Sequence, residues 1–415
     1  MFNLSDVAVV GRFADYRALG SVGSTSLLVT LFTGFLIGMG SGVNVRVAHS
    51  LGAGNQRETQ ETIHTSCLIC LLTGLLICII GLTCSKTFLL MLNTKEELLD
   101  GAVSYLRIYS LGMPALGLYN FGNGVMSARG DTKRPLVYLF IAGILNVIMN
   151  LVFVIGFHMA AEGVAIASVM AQYLSAGLIL HHLWCRRDVC RLQISKLRYH
   201  KVAGQAVLML GIPGGLQQAI FAIANLFVQA GVNSFDAVTV SGNAAAANTD
   251  PLVYNSMFAF YTACASFMSR NLGAGKKDRV LKSYFICLTY AFAIGVAFGT
   301  LFLVFGHEFL SLFATEEAVI HAGRERLYVM SFSYAVSAFM DCSIAASRGI
   351  GKSIPPTIIV ILGSCVFRVI WVFTVFAHFH TLTSLYLLYF FSWAITGVAE
   401  VLYFWRSYRK LAAVR

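Results

Sequence analysis

The chain has 415 residues, 57% of them hydrophobic and only 12% charged, with a mean hydropathy of +0.74. Soluble domains carry roughly 25% charged residues, so an aqueous globular fold is excluded. The net charge of +11 would suit a nucleic-acid binder, but its placement along the chain excludes that reading as well.

Phe2 to Gly11 comes first, apolar apart from Asp6 and too short to cross a bilayer. Runs long enough to cross, about 20 residues at helical rise, are predicted at 24–47, 62–84, 101–126, 136–157 and 163–184. The longest polar connection, Trp184 to Lys201, follows. Six more spans are predicted at 204–232, 240–268, 283–305, 327–346, 356–377 and 383–404. The expected fold is therefore an all-α polytopic membrane protein with eleven full spans plus the end of an earlier helix. An N-terminal lobe is expected over 1–190 and a C-terminal lobe over 191–415. Pro114, Pro213 and Pro251 fall inside spans, where each removes a backbone bond and can kink the helix. Gly211-Ile212-Pro213-Gly214-Gly215 reads as a bending helix beside a cavity.

Two short motifs recur. Leu51-Gly52-Ala53-Gly54-Asn55 returns as Leu272-Gly273-Ala274-Gly275-Lys276, and Ala128-Arg129-Gly130 with Lys133 returns as Ser347-Arg348-Gly349 with Lys352. Internal duplication in a polytopic chain is the signature of a secondary transporter. Six spans separate the two Leu-Gly-Ala-Gly loops, so both emerge on one side and the repeats are parallel. Alternate loops carry 22 of the 30 Lys and Arg, in groups from Arg46 and Arg57 to Arg406, Arg409, Lys410 and Arg415. The positive-inside rule places those loops and the C-terminus in the cytoplasm. The basic charge is a topology signal, and no nucleic-acid partner is expected.

Most of the ten cysteines lie inside spans and read as small apolar packers. Cys67-x-x-Cys70 lacks the βαβ setting of a redox motif. The ten histidines show no His-Glu-x-x-His spacing, so no metal site is expected. An ionisable residue at bilayer depth costs roughly 2.5–3.5 kcal/mol on insertion scales and is a functional candidate by default. The candidates are Asp6, Asp250, Asp341, Arg368 and Glu400, with Arg368 placed to pair with Asp341 or Asp250 and Glu400 expected to snorkel. Gln217, Gln218, Asn225, Asn243 and Asn248 add uncharged polar groups. Of these, Gln217, Asn225 and Asn243, with Asp250 and Arg368, are the expected substrate-cavity residues.

These motifs, in this order and spacing on both halves, resemble the multidrug and toxic compound extrusion (MATE) family. Asp6 to Arg12 is similar to the end of that family's first helix, Gly211-Ile212-Pro213 to the opening of its seventh, and Val228 to Asn233 to the close of that helix. The resemblance implies twelve helices in two six-helix lobes, a V-shaped central cavity, and efflux driven by a proton or sodium gradient with no other cofactor. It also implies that most of the first helix is missing here, as a late start codon would cause. By the same resemblance Asp6 is the coupling carboxylate, with Asn146, Asn150 and Asp341 as further coupling residues and Ser168 near them. Where family members often carry Asn and then Asp one turn later, this chain has Asn146 and Asn150, and an amide cannot carry a proton. Phe221 stands where one branch has a glutamate, which removes that branch's sodium site.

The expected activity is antiport efflux of amphipathic or cationic drug-like molecules across the cytoplasmic membrane by a multi-pass, monomeric protein coupled to protons rather than sodium. A lipid-linked oligosaccharide flippase of the same superfamily would need a strongly cationic cavity, whereas Arg368 is the only positive charge predicted inside a span. An inactive truncated product is the third reading. A membrane-embedded enzyme would need clustered acids or histidines at one face and larger loops, so no enzymatic activity is expected.

Overall fold

The computed structural model describes residues 2–413, and every regular element among them is helical. The first seven helices are α1 (Phe2–Phe13), α2 (Tyr16–Gly52), α3 (Gln56–Met91), α4 (Glu96–Ser110), α5 (Met113–Arg129), α6 (Lys133–Leu151) and α7 (Ala161–Cys185). They are followed by α8 (Lys201–Val232), α9 (Ala237–Ala247), α10 (Thr249–Gly273), α11 (Lys277–Val304) and the short α12 (Gly306–Ser311). The last are α13 (Glu317–Gly349), α14 (Ile354–Val360), α15 (Phe367–Trp371), α16 (Ala377–Phe379) and α17 (Leu382–Ala413). Helix starts follow capping chemistry: Asp15 accepts from the Ala18 N–H at 2.8 Å, Asn55 from Glu58 at 3.0 Å and Asp236 from Thr239 at 3.2 Å.

Among the described residues, nine segments are long and apolar enough to cross a membrane. The difference from eleven has a local cause. The run predicted at 101–126 breaks between α4 and α5, leaving helices of 15 and 17 residues. That at 240–268 breaks between α9 and α10, leaving a 25-residue α10 whose polar residues such as Asn255 and Ser256 lower its hydropathy. Pro114 and Pro251 therefore stand in the first turns of α5 and α10, where a missing N–H costs nothing, and not inside continuous helices. Pro213 does lie within an unbroken α8. Its neighbouring glycines serve close packing. A Cβ added at Gly42 would sit 2.7 Å from the Gly211 nitrogen, and one at Gly38 would sit 2.6 Å from the Gly215 Cα. α2 and α8 meet backbone to backbone there, as small residues permit between membrane helices.

The chain separates into two compact units, one up to Ala219 and one from Ile220. The sequence reading puts the lobe boundary at 190/191, in the connection after α7. Residues 193–200 of that connection are hydrogen-bonded to His64 and Thr65 of α3, which ties them to the first unit.

The duplication is written into backbone geometry. In the first unit Gly54 (φ 68°) and Gly130 (φ 90°) are left-handed, and in the second Gly275 (φ 71°) and Gly351 (φ 82°) are. Each sits in the same closing turn. The N–H groups of Asn55, Asp131, Lys276 and Lys352 donate to the carbonyls of Ser50, Met126, Asn271 and Ser347 at 2.9–3.3 Å. The equivalent of Gly130 is thus Gly351, two residues beyond the Gly349 that the motif match selects; Gly349 itself is helical. The parallel extends further. A π-helical turn at Val152–Gly156 continues α6, another at Val372–Phe376 follows α15, and the non-glycine residues His158 and His380 shortly after them both have positive φ.

Within the first unit α1 lies against α2, α6 and α7, anchored by buried Val9 and Val10 among residues such as Leu36, Leu89, Tyr105 and Leu106. In the second, α13 is central, packed by α9, α10, α11 and α17. These packings decide where the polar side chains meet.

Candidate functional site

Over its first turns α1 is apolar except for Asn3, Ser5 and Asp6, so packing its apolar residues carries a carboxylate into the first unit's interior. Asp6 is 0% exposed. Three helices converge on it with four donors. The Tyr105 hydroxyl of α4 donates to Oδ2 at 2.9 Å and the Ser168 hydroxyl of α7 donates to the same oxygen at 2.7 Å. From α6, the Asn150 amide donates to Oδ1 at 3.0 Å and the Asn146 amide reaches it at 3.4 Å. Asn146 and Asn150 are four residues apart, so a helix turn stacks them on one face. Ser5 donates in turn to the Asn146 carbonyl, and Tyr109 stacks on Tyr105 with ring centroids 5.7 Å apart. Tyr105, Tyr109, Asn146, Asn150 and Ser168 are all buried, and Ser5 is half-buried.

No ion pair reaches Asp6 among the described residues; its donors are all neutral. Burial opposes its charged form, while four donated hydrogen bonds favour it. Such opposition lets a small change of surroundings decide whether a proton is held. The Asn150 carbonyl oxygen is buried and accepts no hydrogen bond. Rotating that amide would present an acceptor to a protonated Asp6, so the same residue can serve either state. Ser168 and Tyr105 hydroxyls can likewise donate or accept.

The second unit is built around positive charge. Arg368, 2% exposed, lies between two π-helical turns, Ile361–Val366 and Val372–Phe376. π-bulges are frequent at functional sites. Its Nη1 donates to Asn225 Oδ1 at 2.7 Å and its Nε to the Ser392 hydroxyl at 3.5 Å. The rings of Tyr389, Phe221 and Trp393 lie 4.7, 5.5 and 5.7 Å from the guanidinium, within cation–π range. Among the described residues Arg368 forms no ion pair, so the expected pairing with Asp250 or Asp341 is not made. Arg326 takes Asp250 instead, with Tyr334 also donating to that carboxylate. Arg326 further donates to Asn243 Oδ1 at 2.6 Å, which accepts from Tyr386 at 3.1 Å. Arg326 lies just ahead of the span predicted at 327–346, but α13 begins at Glu317, more than two turns earlier, and Arg326 is 5% exposed.

Asp341 is half-buried and lies in the fields of Arg348 and Arg368. Glu400, expected to snorkel, is instead fully buried with neither oxygen hydrogen-bonded, balanced through space by Arg348. α17 packs along α13 at that level, which closes the route to the surface. Gln217 is buried in the first unit, and Asn225 is exposed apart from its bond to Arg368.

The structure thus brings together Asp6, Asn146 and Asn150 and adds Ser168. It joins Asn225 to Arg368 and sets Asp250 and Asn243 on Arg326. Sequence reading missed Tyr105 and the ring cage of Tyr389 and Trp393. Nothing distinguishes these aromatics from the other tyrosines and tryptophans of a membrane chain until the helices are assembled. The four-residue spacing of Tyr105 and Tyr109 was the one available signal.

Comparison with known proteins fits this geometry. The MatE family profile matches residues 1–152 and 213–374. "Probable multidrug resistance protein YoeA" of Bacillus subtilis is 23% identical over 363 residues, covering 86% of this chain and 78% of its own length. "Probable multidrug resistance protein YpnP" of the same organism is 27% identical over 336 residues, covering 80% and 74%. A MOP superfamily transporter from Pyrococcus furiosus shares the fold at a TM-score of 0.92 and 20% identity, over all of this chain and 92% of that one. The matched profile spans both units, and the chain belongs to the MatE family of multidrug and toxic compound extrusion transporters.

Proposed function

We propose that the chain exports amphipathic, often cationic, small molecules in exchange for protons, and that Asp6 carries the coupling proton. The observation that supports this is the fully buried Asp6 carboxylate ringed by four neutral donors with no cation beside it. In an exchange cycle the proton must bind from one side and leave to the other. One elementary charge crossing the field is worth about 2.3 kcal/mol per 100 mV, enough to drive uphill export when release is tied to substrate movement. Asn146, Asn150, Ser168 and Tyr105 hold the carboxylate and adjust to its two states. The turns at Gly54 and Gly275 and the C-terminus are read as cytoplasmic, from the charge pattern.

The same oxygen-rich set is chemically suited to sodium, and the unpartnered Asn150 carbonyl favours keeping that reading as the competitor. Arg368, which forms no ion pair among the described residues, favours substrates that also bear an anionic group, the feature a lipid-linked substrate would share. Proteoliposomes holding the full chain, loaded with a cationic dye, decide the first choice. Efflux is expected to follow an imposed pH gradient, to collapse with a protonophore and to persist without sodium; strict sodium dependence would overturn proton coupling.

A further inference from the structure

A second built site lies far along the first unit from Asp6, where the connection between α7 and α8 crosses the first turns of α3. A cavity of about 380 Å³ opens there between Arg57, Glu61 and His64 of α3 and Lys196, Arg198 and His200 of the connection. We infer that this cavity binds a phosphate group, carried by an anionic lipid headgroup or free in solution.

The walls are held in place. The Gln193 N–H donates to His64 Nε2 at 3.1 Å, and His64 Nδ1 lies 2.7 Å from the Gln60 carbonyl. That pairing fixes the neutral imidazole with its proton on Nδ1. One residue on, the Thr65 hydroxyl donates to the Arg198 carbonyl at 3.2 Å and accepts from the His200 N–H at 3.1 Å. His64 and Thr65 are both buried. Residues 193–200 are therefore strapped onto α3 rather than trailing in solvent, and the strap sets Lys196 and Arg198 beside Arg57.

Several other basic residues of this unit's loops are neutralised by carboxylates, and Lys133, Arg187 and Arg191, which form no ion pair among the described residues, are not walls of this cavity. Arg129 and Arg186 both engage Asp188, and Arg134 engages Asp131 at 2.9 Å. In the cavity the single carboxylate, Glu61, is taken by Arg57 at 2.9 Å, with His200 3.9 Å away. Lys196 and Arg198 form no ion pair among the described residues. Three fixed positive charges face one negative charge, an excess of two that suffices for the single charge of a lipid phosphodiester or the up to two charges of free phosphate. Guanidinium forks suit phosphate oxygens bidentately, and lysine adds a point charge. The volume falls within the roughly 300–1,000 Å³ of small-molecule sites, so a phosphate and a small headgroup fit together. The apolar run of α3 begins one turn beyond, at the depth where headgroups lie, and basic pockets at the ends of membrane helices hold anionic lipid headgroups.

The test uses the full chain in detergent, delipidated and offered either phosphatidylglycerol, phosphatidylcholine or inorganic phosphate, with bound molecules counted by native mass spectrometry. The wild type is expected to retain phosphatidylglycerol over phosphatidylcholine. A Lys196→Gln/Arg198→Gln variant, both exposed positions whose side chains take no part in the strap, should lose that preference by roughly tenfold. Lys196→Gln alone provides a milder version should the double variant unfold. If inorganic phosphate binds the wild type and displaces the lipid, the phosphate group itself is the ligand; if only the lipid binds, the headgroup in its membrane is. Equal retention of both lipids by the wild type, or unchanged retention by the variants with no phosphate bound, would overturn the assignment.

Discussion

Matching helical stretches of the two units contribute to buried polar centres of opposite sign. In the first, the centre is a carboxylate, Asp6, with Asn146 and Asn150 donating from α6 just before a π-helical turn at Val152–Gly156. In the second, the helical stretch that ends in the corresponding turn, Val372–Phe376, contributes a guanidinium, Arg368, and α8 meets it with neutral Asn225. Backbone devices were kept on duplication: the four left-handed glycines, the closing turns and the π-helical turns recur in step. The charges were not. One unit holds a group that can gain and lose a proton; the other holds one that is always charged. The function proposed above implies a division of labour, with coupling in the first unit and recognition or support in the second.

The strongest way to break that division is Asp6→Asn. The amide is nearly isosteric and keeps a polar group among the donors, so the helices should still pack. Proton-driven dye efflux is expected to fall by two orders of magnitude or more, as loss of an obligatory carrier requires, with expression and thermal midpoint little changed. Undiminished efflux would sink the coupling role. Arg368→Met is the matching change in the second unit. It removes a charge-assisted hydrogen bond, worth roughly 1.5–3 kcal/mol, and the cation–π contacts, while an unbranched apolar chain fills the ring cage. The expectation is a KM raised about tenfold for substrates with an anionic group, with the dependence on the pH gradient unchanged. Loss of proton drive in this variant would place coupling in both units.

Much of this comparison was legible before any coordinates. The doubled Leu-Gly-Ala-Gly motif named a parallel repeat, and Asp6, Arg368 and the Asn146/Asn150 pair stood out because charged or amide groups are costly in an apolar span. What the sequence did not carry was partnership. Asp250 finds Arg326 rather than Arg368 because α10 packs on α13, a fact of helix placement with no local signal. Tyr105 and Ser168 become donors only when α4 and α7 close on α1. The breaks before α5 and α10 were misread because Gly112 lies in apolar sequence and the polar Asn248-Thr249-Asp250 is flanked by apolar residues on both sides, whereas the prolines just beyond mark helix starts as well as kinks.

The shared backbone devices predict equal costs. Gly54→Ala and Gly275→Ala each force a Cβ into a left-handed turn with open space around it, so the penalty is conformational, about 1 kcal/mol. Thermal unfolding in detergent should show matching shifts of a few degrees for the two variants. A much larger loss at one of them would mean that its turn does something in its unit beyond closing a helix.

The smallest effect is expected at Glu400, and it is the most pointed test of the asymmetry. Its carboxylate is fully buried in the second unit and accepts no hydrogen bond, so beside the half-buried Asp341 it is a group there that could mirror Asp6. The surroundings differ in kind. Asp6 has four donors that respond to its charge, whereas Glu400 has only the through-space field of Arg348 and the opposing field of Asp341. A group with no hydrogen bonds to exchange has no local means of signalling its protonation to neighbouring helices. Glu400→Gln keeps the volume and removes the charge, so efflux driven by a pH gradient is expected to stay within about twofold of wild type. Thermal stability should hold or rise slightly, because a buried charge without donors is costly. A loss approaching that of Asp6→Asn would instead give the second unit a proton carrier of its own, and the opposite charges of the two centres would then describe substrate recognition rather than coupling.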